Sequence, residues 1–484
     1  MRSRCPITRR TALPAVLTLA VAVLARVASV LAIGTAVSAR PPNIVVVLTD
    51  DQGYADISFN PHHPKEVSTP HLDALARESV WFSQGYITGN VCSPTRAGLL
   101  TGRYQQRAGV YTAGEGGRGI AQTETIFPKF LKPAGYVSGA FGKWHLGLTV
   151  EQSPVGRGFD EWYGFLGRGA HDYLKLDDIE GSPMYRNGKP IKDEGYLTTR
   201  LTDETVAFIQ KHKAQPFYVH LAYNAVHSPA QAPAADIARF KKQFPEITEA
   251  RAILMAMLHH LDLGVGRVVD TLKKEGLWEN TLLVFLTDNG GSKAMSAVNT
   301  PLRGAKQQNY EGGIRTPFIV SWPAAFKGGR TLDTPISSLD ILPTALAAAG
   351  VALPTERPLD GKSLLPLLTG KSSRHIDTFY WSEGGEAGGF AVRSGDWKLV
   401  QQRSQPKVEL FNLAKDPAET TDLAPQSAAK VAELTTLYDT WLDQMAEPMD
   451  GVGKRLTPKA HGHDIFEIRQ AGNFGRGMPS QCQR

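Results

Sequence analysis

Asn43-Ile44-Val45-Val46-Val47-Leu48, followed at once by Thr49-Asp50-Asp51, is the stretch that decides how this chain folds. An unbroken aliphatic and β-branched run has no polar face, so it predicts a central strand covered on both sides, as in a parallel sheet held between helical layers. Similar runs recur at Pro216 to Tyr223, Thr281 to Thr287 and Pro317 to Trp322. Between them, His71 to Val80, Pro94 to Gly102 and Thr248 to Gly276 have helical character. In the last of these Leu254, Met257, Leu258, Leu261, Val265 and Val268 recur at three- or four-residue spacing. Strands alternating with helices predict an α/β fold: a large mixed, mostly parallel sheet sandwiched by helices. Ligands then belong at the carboxyl ends of the strands.

The pattern changes after the Pro-, Gly- and Leu-rich segment Pro354 to Gly370. Phe390 to Arg393, Trp397 to Val400 and Val408 to Phe411 resemble short antiparallel strands, and Ala428 to Met445 resembles one closing helix, which together predict a smaller C-terminal α+β subdomain. The expected divisions are 1–39, an α/β domain over 40–370, the subdomain over 371–449, and an irregular tail over 450–484. No internal repeat is visible.

The first segment reads as an address label. Arg2, Arg4, Arg9 and Arg10 precede the apolar run Ala12 to Ala25, and Val37-Ser38-Ala39 offers small residues for cleavage, the composition of a secretory signal. The run is too short for the roughly 18 apolar residues of a membrane span. Thr8-Arg9-Arg10 leaves general secretion and twin-arginine export both open. An exported protein, periplasmic or secreted, with no stable membrane span after cleavage is expected. An uncleaved N-terminal anchor is the alternative.

Loss of residues 1–39 removes five arginines and no acidic residue, taking the formal charge from +6 to +1. No Lys/Arg-rich run remains, which argues against a nucleic-acid partner. Of three cysteines, Cys5 leaves with the signal, so Cys92 and Cys482 cannot form a disulfide framework. A single bridge between those two would block the chemistry developed below.

Asp50 and Asp51 follow the first strand, and Asp288 and Asn289 follow Thr281 to Thr287. Two strand ends thus bring three carboxylates and an amide to one sheet edge, an all-oxygen set suited to a hard cation such as Ca²⁺ or Mg²⁺. An Asp after a strand also serves as a turn former; two such pairs shift the balance toward a metal. Cys92-Ser93-Pro94-Thr95-Arg96 lies where a loop enters a helix, and the unpaired N–H groups of a helix start favour an anionic substrate.

Cys92-Ser93-Pro94-Thr95-Arg96-Ala97-Gly98-Leu99-Leu100-Thr101-Gly102-Arg103 resembles the signature of the formylglycine-dependent sulfatases, in the alkaline phosphatase superfamily. Other segments fit in order: Asp50-Asp51-Gln52-Gly53-Tyr54, Gly142 to Gly147, Asn224 to Pro229, Asp288-Asn289-Gly290, Leu302 to Lys306 and Tyr310 to Gly313. The resemblance spans Pro42 to Met445. It implies that a maturation enzyme oxidises Cys92 to an aldehyde, and that Asp50, Asp51, Asp288 and Asn289 hold one Ca²⁺ together with the modified Cys92. It also implies that Arg96 holds the nucleophile's oxygen and that Lys143, His227 and Lys306 surround the sulfate. His145 would act on the second hydroxyl of the hydrated aldehyde, and His227 with Lys306 would serve the leaving oxygen.

That division suits the chemistry. A sulfate ester repels an anionic attacker and must expel a basic alkoxide, so cations on the sulfuryl oxygens and a proton donor at the leaving group both lower the barrier. A serine would leave a covalent sulfate still needing attack at sulfur. An aldehyde hydrate attacks with one hydroxyl and ejects sulfate when the other loses its proton.

For substrate, Phe165 to Tyr173 resembles the variable leaving-group wall of carbohydrate sulfatases, which makes Arg168 and His171 candidates for recognising a sulfated sugar. Aryl sulfates are expected as further substrates. The alternatives are a phosphate or phosphonate monoester hydrolase, disfavoured by cysteine at position 92 and a single set of metal ligands, and a non-catalytic carbohydrate-binding homologue. His220 reads as a strand histidine, and His259-His260 have no evident ligand partner. Oligomeric state is not expressed in the sequence.

Overall fold

The computed structural model describes residues 40–449 apart from 167, 168, 181 and 385–387. The signal at 1–39, the tail at 450–484 with Cys482, and Arg168 therefore lie outside the described residues. The first half of the chain forms β1 (Asn43–Thr49), α1 (Pro70–Glu78), β2 (Val80–Phe82), β3 (Gly85–Tyr86), α2 (Cys92–Thr101), β4 (Val137–Lys143) and β5 (Glu161–Phe165). There follow β6 (Met184–Arg186), β7 (Lys189–Ile191), α3 (Leu197–His212), β8 (Phe217–Ala222), α4 (Ala234–Gln243), α5 (Glu249–Lys274) and β9 (Thr281–Thr287). The remainder holds β10 (Arg315–Thr316), β11 (Phe318–Ser321), β12 (Arg330–Leu332), β13 (Ile336–Ser337) and α6 (Ile341–Ala349). It closes with β14 (Thr378–Ser382), β15 (Phe390–Ser394), β16 (Trp397–Gln401), β17 (Val408–Asn412) and α7 (Ala428–Leu442).

The main sheet has ten strands in the order β12-β2-β11-β9-β1-β8-β4-β5-β6-β7. The central strands β9, β1, β8, β4 and β5 run parallel, and antiparallel β11 on one side and β6 and β7 on the other make the sheet mixed. Alternate residues of β1 feed two different cores: Val45 and Val47 pack beneath α3 and α5, whereas Ile44, Val46 and Leu48 face Leu99, Leu100 and Ile341. This two-sided burial is why Ile44 to Leu48 contains no polar residue. α5 alone among the described residues is long and apolar enough to cross a membrane, but most of it is buried in the core.

Two central strands, β4 and β5, were not evident from composition. β4 reads Val-Ser-Gly-Ala-Phe-Gly-Lys, with no β-branched run. Its glycine is demanded by the neighbour: at Gly142 (φ 112°) a Cβ would lie 1.9 Å from the Ala222 carbonyl oxygen of β8. β14 was likewise missed, and it forms the edge of an antiparallel sheet β14-β15-β16-β17. One face of that sheet packs Phe390, Val392, Leu399 and Leu410 against Leu434, Tyr438 and Trp441 of α7. The other buries Trp381, Ala391 and Val400 against Tyr86, Tyr310 and Ile314 of the larger layer. Lys398, fully buried, ties the two layers by pairing with Glu311 at 2.9 Å and Glu419 at 2.8 Å.

Candidate active site

Four adjacent parallel strands, β4, β8, β1 and β9, deliver the site at their carboxyl ends. Thr49 pairs with Thr287, and the Asp288 N–H donates to the Thr49 carbonyl at 3.0 Å, so Asp50-Asp51 and Asp288-Asn289 leave the sheet at the same level. All four are buried. Asp51 sits at φ 60°, a left-handed conformation that Asp tolerates better than most residues.

Cys92 is the first residue of α2, two residues earlier than the sequence suggested. Val91 precedes it in extended conformation and no side chain caps the helix, so the free N–H groups and positive end of a buried helix face the carboxylates. Arg96 lies one turn on, on the same face. The interior glycine of this helix has a steric cause: a Cβ at Gly98 would meet Thr88 Oγ1 at 2.7 Å and Gln105 Oε1 at 2.9 Å. Gly102 ends the helix in a left-handed conformation at φ 65°.

Arg96 is fully buried and makes four hydrogen bonds: Nε and Nη2 to Asp288 Oδ2 at 2.9 and 2.7 Å, Nη2 to Asp50 Oδ2 at 3.3 Å, and Nη1 to the Lys143 carbonyl at 3.1 Å. It therefore clamps the carboxylates of two strands, a task the sequence did not assign it. Lys143 Nζ pairs with Asp50 Oδ2. Lys306 Nζ bridges Asp51 Oδ1 at 2.6 Å and Cys92 Sγ at 3.6 Å, and His227 Nε2 lies 3.8 Å from Asp51 Oδ2. Asp50, Asp51, Cys92 and His227 bring one ligand atom each within 4.8 Å of one another. Asn289 Nδ2 donates to Asp51 Oδ1 at 2.7 Å.

These charges set one another's protonation. Burial pushes the Asp50 carboxyl up, but Lys143, His227, Arg96 and Lys306 together outweigh it and hold Asp50 below the usual carboxylate range. Burial, then the charge of Asp50, raises Asp288 in spite of Arg96. Burial followed by Asp288 and Asp50 drives the Cys92 thiol far above its ordinary value, against Lys143 and Lys306. An unmodified Cys92 is therefore a protonated thiol, a poor nucleophile. Burial, then Lys143 and Arg96, holds His145 well below its ordinary value, and its Nδ1 is buried with no hydrogen-bond partner among the described residues.

The surroundings of His171 are mostly backbone. His171 is buried, its ring lies tilted against Phe165 with centroids 5.0 Å apart, and its Nδ1 and Nε2 lie 2.7 and 2.9 Å from the carbonyls of Asp172 and Ser182. Whichever nitrogen carries the proton donates to one of these carbonyls, and the other faces a backbone oxygen. His220 is buried within β8, 3.3 Å from the Tyr218 hydroxyl. His260 pairs with Asp236 at 2.9 Å.

Several contributors had no signal in the sequence. Glu383, from the small sheet, accepts hydrogen bonds from Asn90 at 2.7 Å and Asn309 at 3.0 Å, bracing the segments that carry Cys92 and Lys306. The Tyr173 hydroxyl donates to the His227 carbonyl at 2.9 Å, and Ser93 Oγ to the His145 carbonyl at 3.0 Å. Their partners are distant in sequence, so no local motif marks them.

Asp288 Oδ1 and Asn289 Oδ1 are buried and have no hydrogen-bond partner among the described residues. Buried oxygens without donors are costly, and two beside further carboxylates suit a cation that takes six to eight oxygen ligands. The donor set thus fits a hard divalent ion.

A mixed α/β sheet with this anion-directed, oxygen-lined centre defines a hydrolase of the alkaline phosphatase-like superfamily. The chain belongs to the sulfatase family: the Sulfatase model matches residues 42–351, and the model for the N-sulphoglucosamine sulphohydrolase C-terminal region matches 305–446. It is 34% identical over 381 residues to Uncharacterized sulfatase YdeN of Escherichia coli (strain K12), covering 68% of this chain and 66% of that one. It is 33% identical over 385 residues to N-acetylgalactosamine-6-sulfatase of Canis lupus familiaris, covering 73% and 71%. The crystal structure of Ps i-CgsB in complex with k-i-k-neocarrahexaose superposes with a TM-score of 0.79 at 33% identity over 85% of this chain and 94% of that one.

Proposed function

We propose that this sulfatase is an exported, calcium-dependent enzyme that removes sulfate from sulfated carbohydrates, accepts aryl sulfates, and depends on conversion of Cys92 to formylglycine by a separate maturation enzyme. The observation that carries the metal assignment is the pair of unpartnered buried oxygens, Asp288 Oδ1 and Asn289 Oδ1, beside Asp50 and Asp51. Those four residues and the oxygen replacing the Cys92 sulfur would hold the ion. When bound, it supplies Lewis acidity that draws charge from the sulfuryl oxygens. The formylglycine hydrate supplies one hydroxyl for attack and a second whose deprotonation releases sulfate.

The chain's own groups divide the rest. Lys143 and Lys306 place two ammonium groups at the metal-side carboxylates, within reach of an anionic ester. Arg96 keeps Asp50 and Asp288 in register. His145, neutral at physiological pH and with a free Nδ1, is suited to accept the proton of the second hydroxyl. His227 bonds the Ser228 carbonyl through Nδ1 at 2.8 Å, which directs Nε2 into the site, where the imidazolium form protonates a departing alkoxide together with Lys306. A sulfated sugar as substrate is supported by the similarity to N-acetylgalactosamine-6-sulfatase and Ps i-CgsB. Export is supported by the signal-like segment before Arg40.

The test is peptide mass spectrometry across Tyr86 to Arg96 on protein from its natural host, with sulfate release from a panel of sulfated sugars and from matched aryl sulfate and phosphate esters. Aldehyde mass with preferential sulfate release is expected. Full turnover by protein whose Cys92 is unmodified would refute the nucleophile, and faster phosphate release would refute the substrate class.

A further inference from the structure

We propose that a second cleft, beside the Cys92 site and distinct from it, binds an anionic group, sulfate or carboxylate, on the sugar unit next to the one that loses sulfate. The cleft has a volume of about 330 Å³, at the small end of the range of ligand pockets, roughly 300–1,000 Å³. One wall is the loop carrying Lys293, Arg303, Gly304 and Gln308, and the other is the turn from β16 to β17 with Gln405 and Lys407. The inference rests on the sulfated-carbohydrate assignment above.

Its position follows from the chain path. Lys293 stands five residues beyond Asp288. Gly304 lines the cleft and lies two residues before Lys306, so their Cα atoms are no more than about 7 Å apart. The Lys306 N–H donates to the Gly291 carbonyl at 3.2 Å, joining the two loops. The segment that carries Lys306 into the catalytic centre therefore also forms a wall of the cleft, which puts the cleft within a sugar unit or two of the Lys306 backbone.

The ligand's charge follows from which groups are already matched. Glu409 accepts from the Tyr310 hydroxyl and, at 3.3 Å, from Arg303 Nη1. Arg303 lies over the Tyr310 ring at 3.8 Å and also donates to the Glu419 carbonyl at 2.9 Å. Lys407 pairs with Asp422 at 2.7 Å. Three cations against those two carboxylates leave one positive charge in excess. Among the described residues Lys293 has no ion pair, and the amides of Gln308 and Gln405 have no protein partner, whereas the cleft's carboxylate is taken. The two glutamine amides offer donors and acceptors alike, so the sign of the ligand is set by the excess positive charge and the unpaired Lys293 ammonium, which favour an anion.

The experiment uses the full matured enzyme and three oligosaccharides of one length with the same scissile sulfate, whose neighbouring sugar is neutral, sulfated or a uronate; a small aryl sulfate is the common reference. For the wild type, kcat/KM on a charged-neighbour substrate is expected to exceed that on the neutral one by about tenfold, mainly through KM, with the advantage fading at high salt. In the Lys293→Ala/Lys407→Ala variant, both exposed lysines, that ratio is expected to fall to near one at an unchanged Tm. Response to only the sulfated or only the uronate neighbour names the group recognised. Equal rates on all three substrates, or a preference that survives in the double variant, overturns the cleft. Failure to hydrolyse even the aryl sulfate would instead overturn the sulfatase mechanism on which it rests.

Discussion

Asp288→Asn separates the metal from the scaffold. The substitution leaves an oxygen at the unpartnered Oδ1 position but removes one full negative charge from the proposed ligand set. Changes one layer outside a metal commonly weaken binding 10–100-fold, so a ligand itself should cost at least about 100-fold. With ~1 mM free calcium and a site of ~1 μM affinity, binding stabilises the native wild type by ~4.1 kcal/mol, and a 100-fold weaker site by ~1.4 kcal/mol. A folded region of roughly 400 residues has an unfolding entropy near 0.8 kcal/mol/K, so calcium should raise the wild-type Tm by about 5 °C and the variant's by less than about 2 °C. The calcium-free Tm is the weaker readout. Loss of a carboxylate that burial and Asp50 disfavour is offset there by weaker bonds to Arg96. Differential scanning calorimetry in chelator and in calcium is the assay. A calcium shift as large in Asp288→Asn as in the wild type refutes Asp288 as a ligand, and no shift in either refutes the metal.

Three further outcomes are expected. His227→Ala should lower kcat on an alkyl or sugar sulfate by about 10²–10⁴-fold and far less on an activated aryl sulfate; equal losses would show that His227 does not serve the leaving group. His171→Ala removes a buried ring and its backbone contacts, so it should cost about 3 kcal/mol of stability and lower sugar- and aryl-sulfate turnover in step, whereas a selective loss on sugars would restore a recognition role. Burial, with Arg96 beyond it, pushes His220 down to about 3 from an ordinary 6.5. The unfolded chain therefore binds the proton first as pH falls below 6.5, and stability drops by ~2 kcal/mol at pH 5. Denaturant titrations at pH 7.5 and 5 should show a smaller difference in His220→Gln, and an unchanged difference would assign the acid sensitivity elsewhere.

What could be read locally was read well. The run at Ile44 to Leu48 must be buried on both faces because it has no polar side, and the carboxylates after β1 and after Thr287 share an edge once those strands are neighbours. α5 was legible because its apolar spacing extends over many turns. β4 escaped because Gly142 answers to the backbone of β8, and Gly139 to the rings of Phe141 and Phe208, rather than to any periodic rule within the segment. The surroundings of His171 were hidden for a related reason: they include the Ser182 carbonyl, which no local pattern assigns to it.

The sequence by itself determined the central strands β1, β8 and β9, the cysteine-bearing helix and the chemical inventory of the site, because apolar runs, helix periodicity and an ordered set of family motifs are local properties. Only the tertiary structure decided that Arg96 clamps Asp50 to Asp288 and that Lys306 reaches Cys92. It also decided that Glu383, at the end of β14, braces the nucleophile's segment and that Lys293, Arg303 and Lys407 line one cleft. Those contacts join residues tens to hundreds of positions apart, and their energies depend on burial and on the sum of neighbouring charges, which exist only once the strands have been brought side by side.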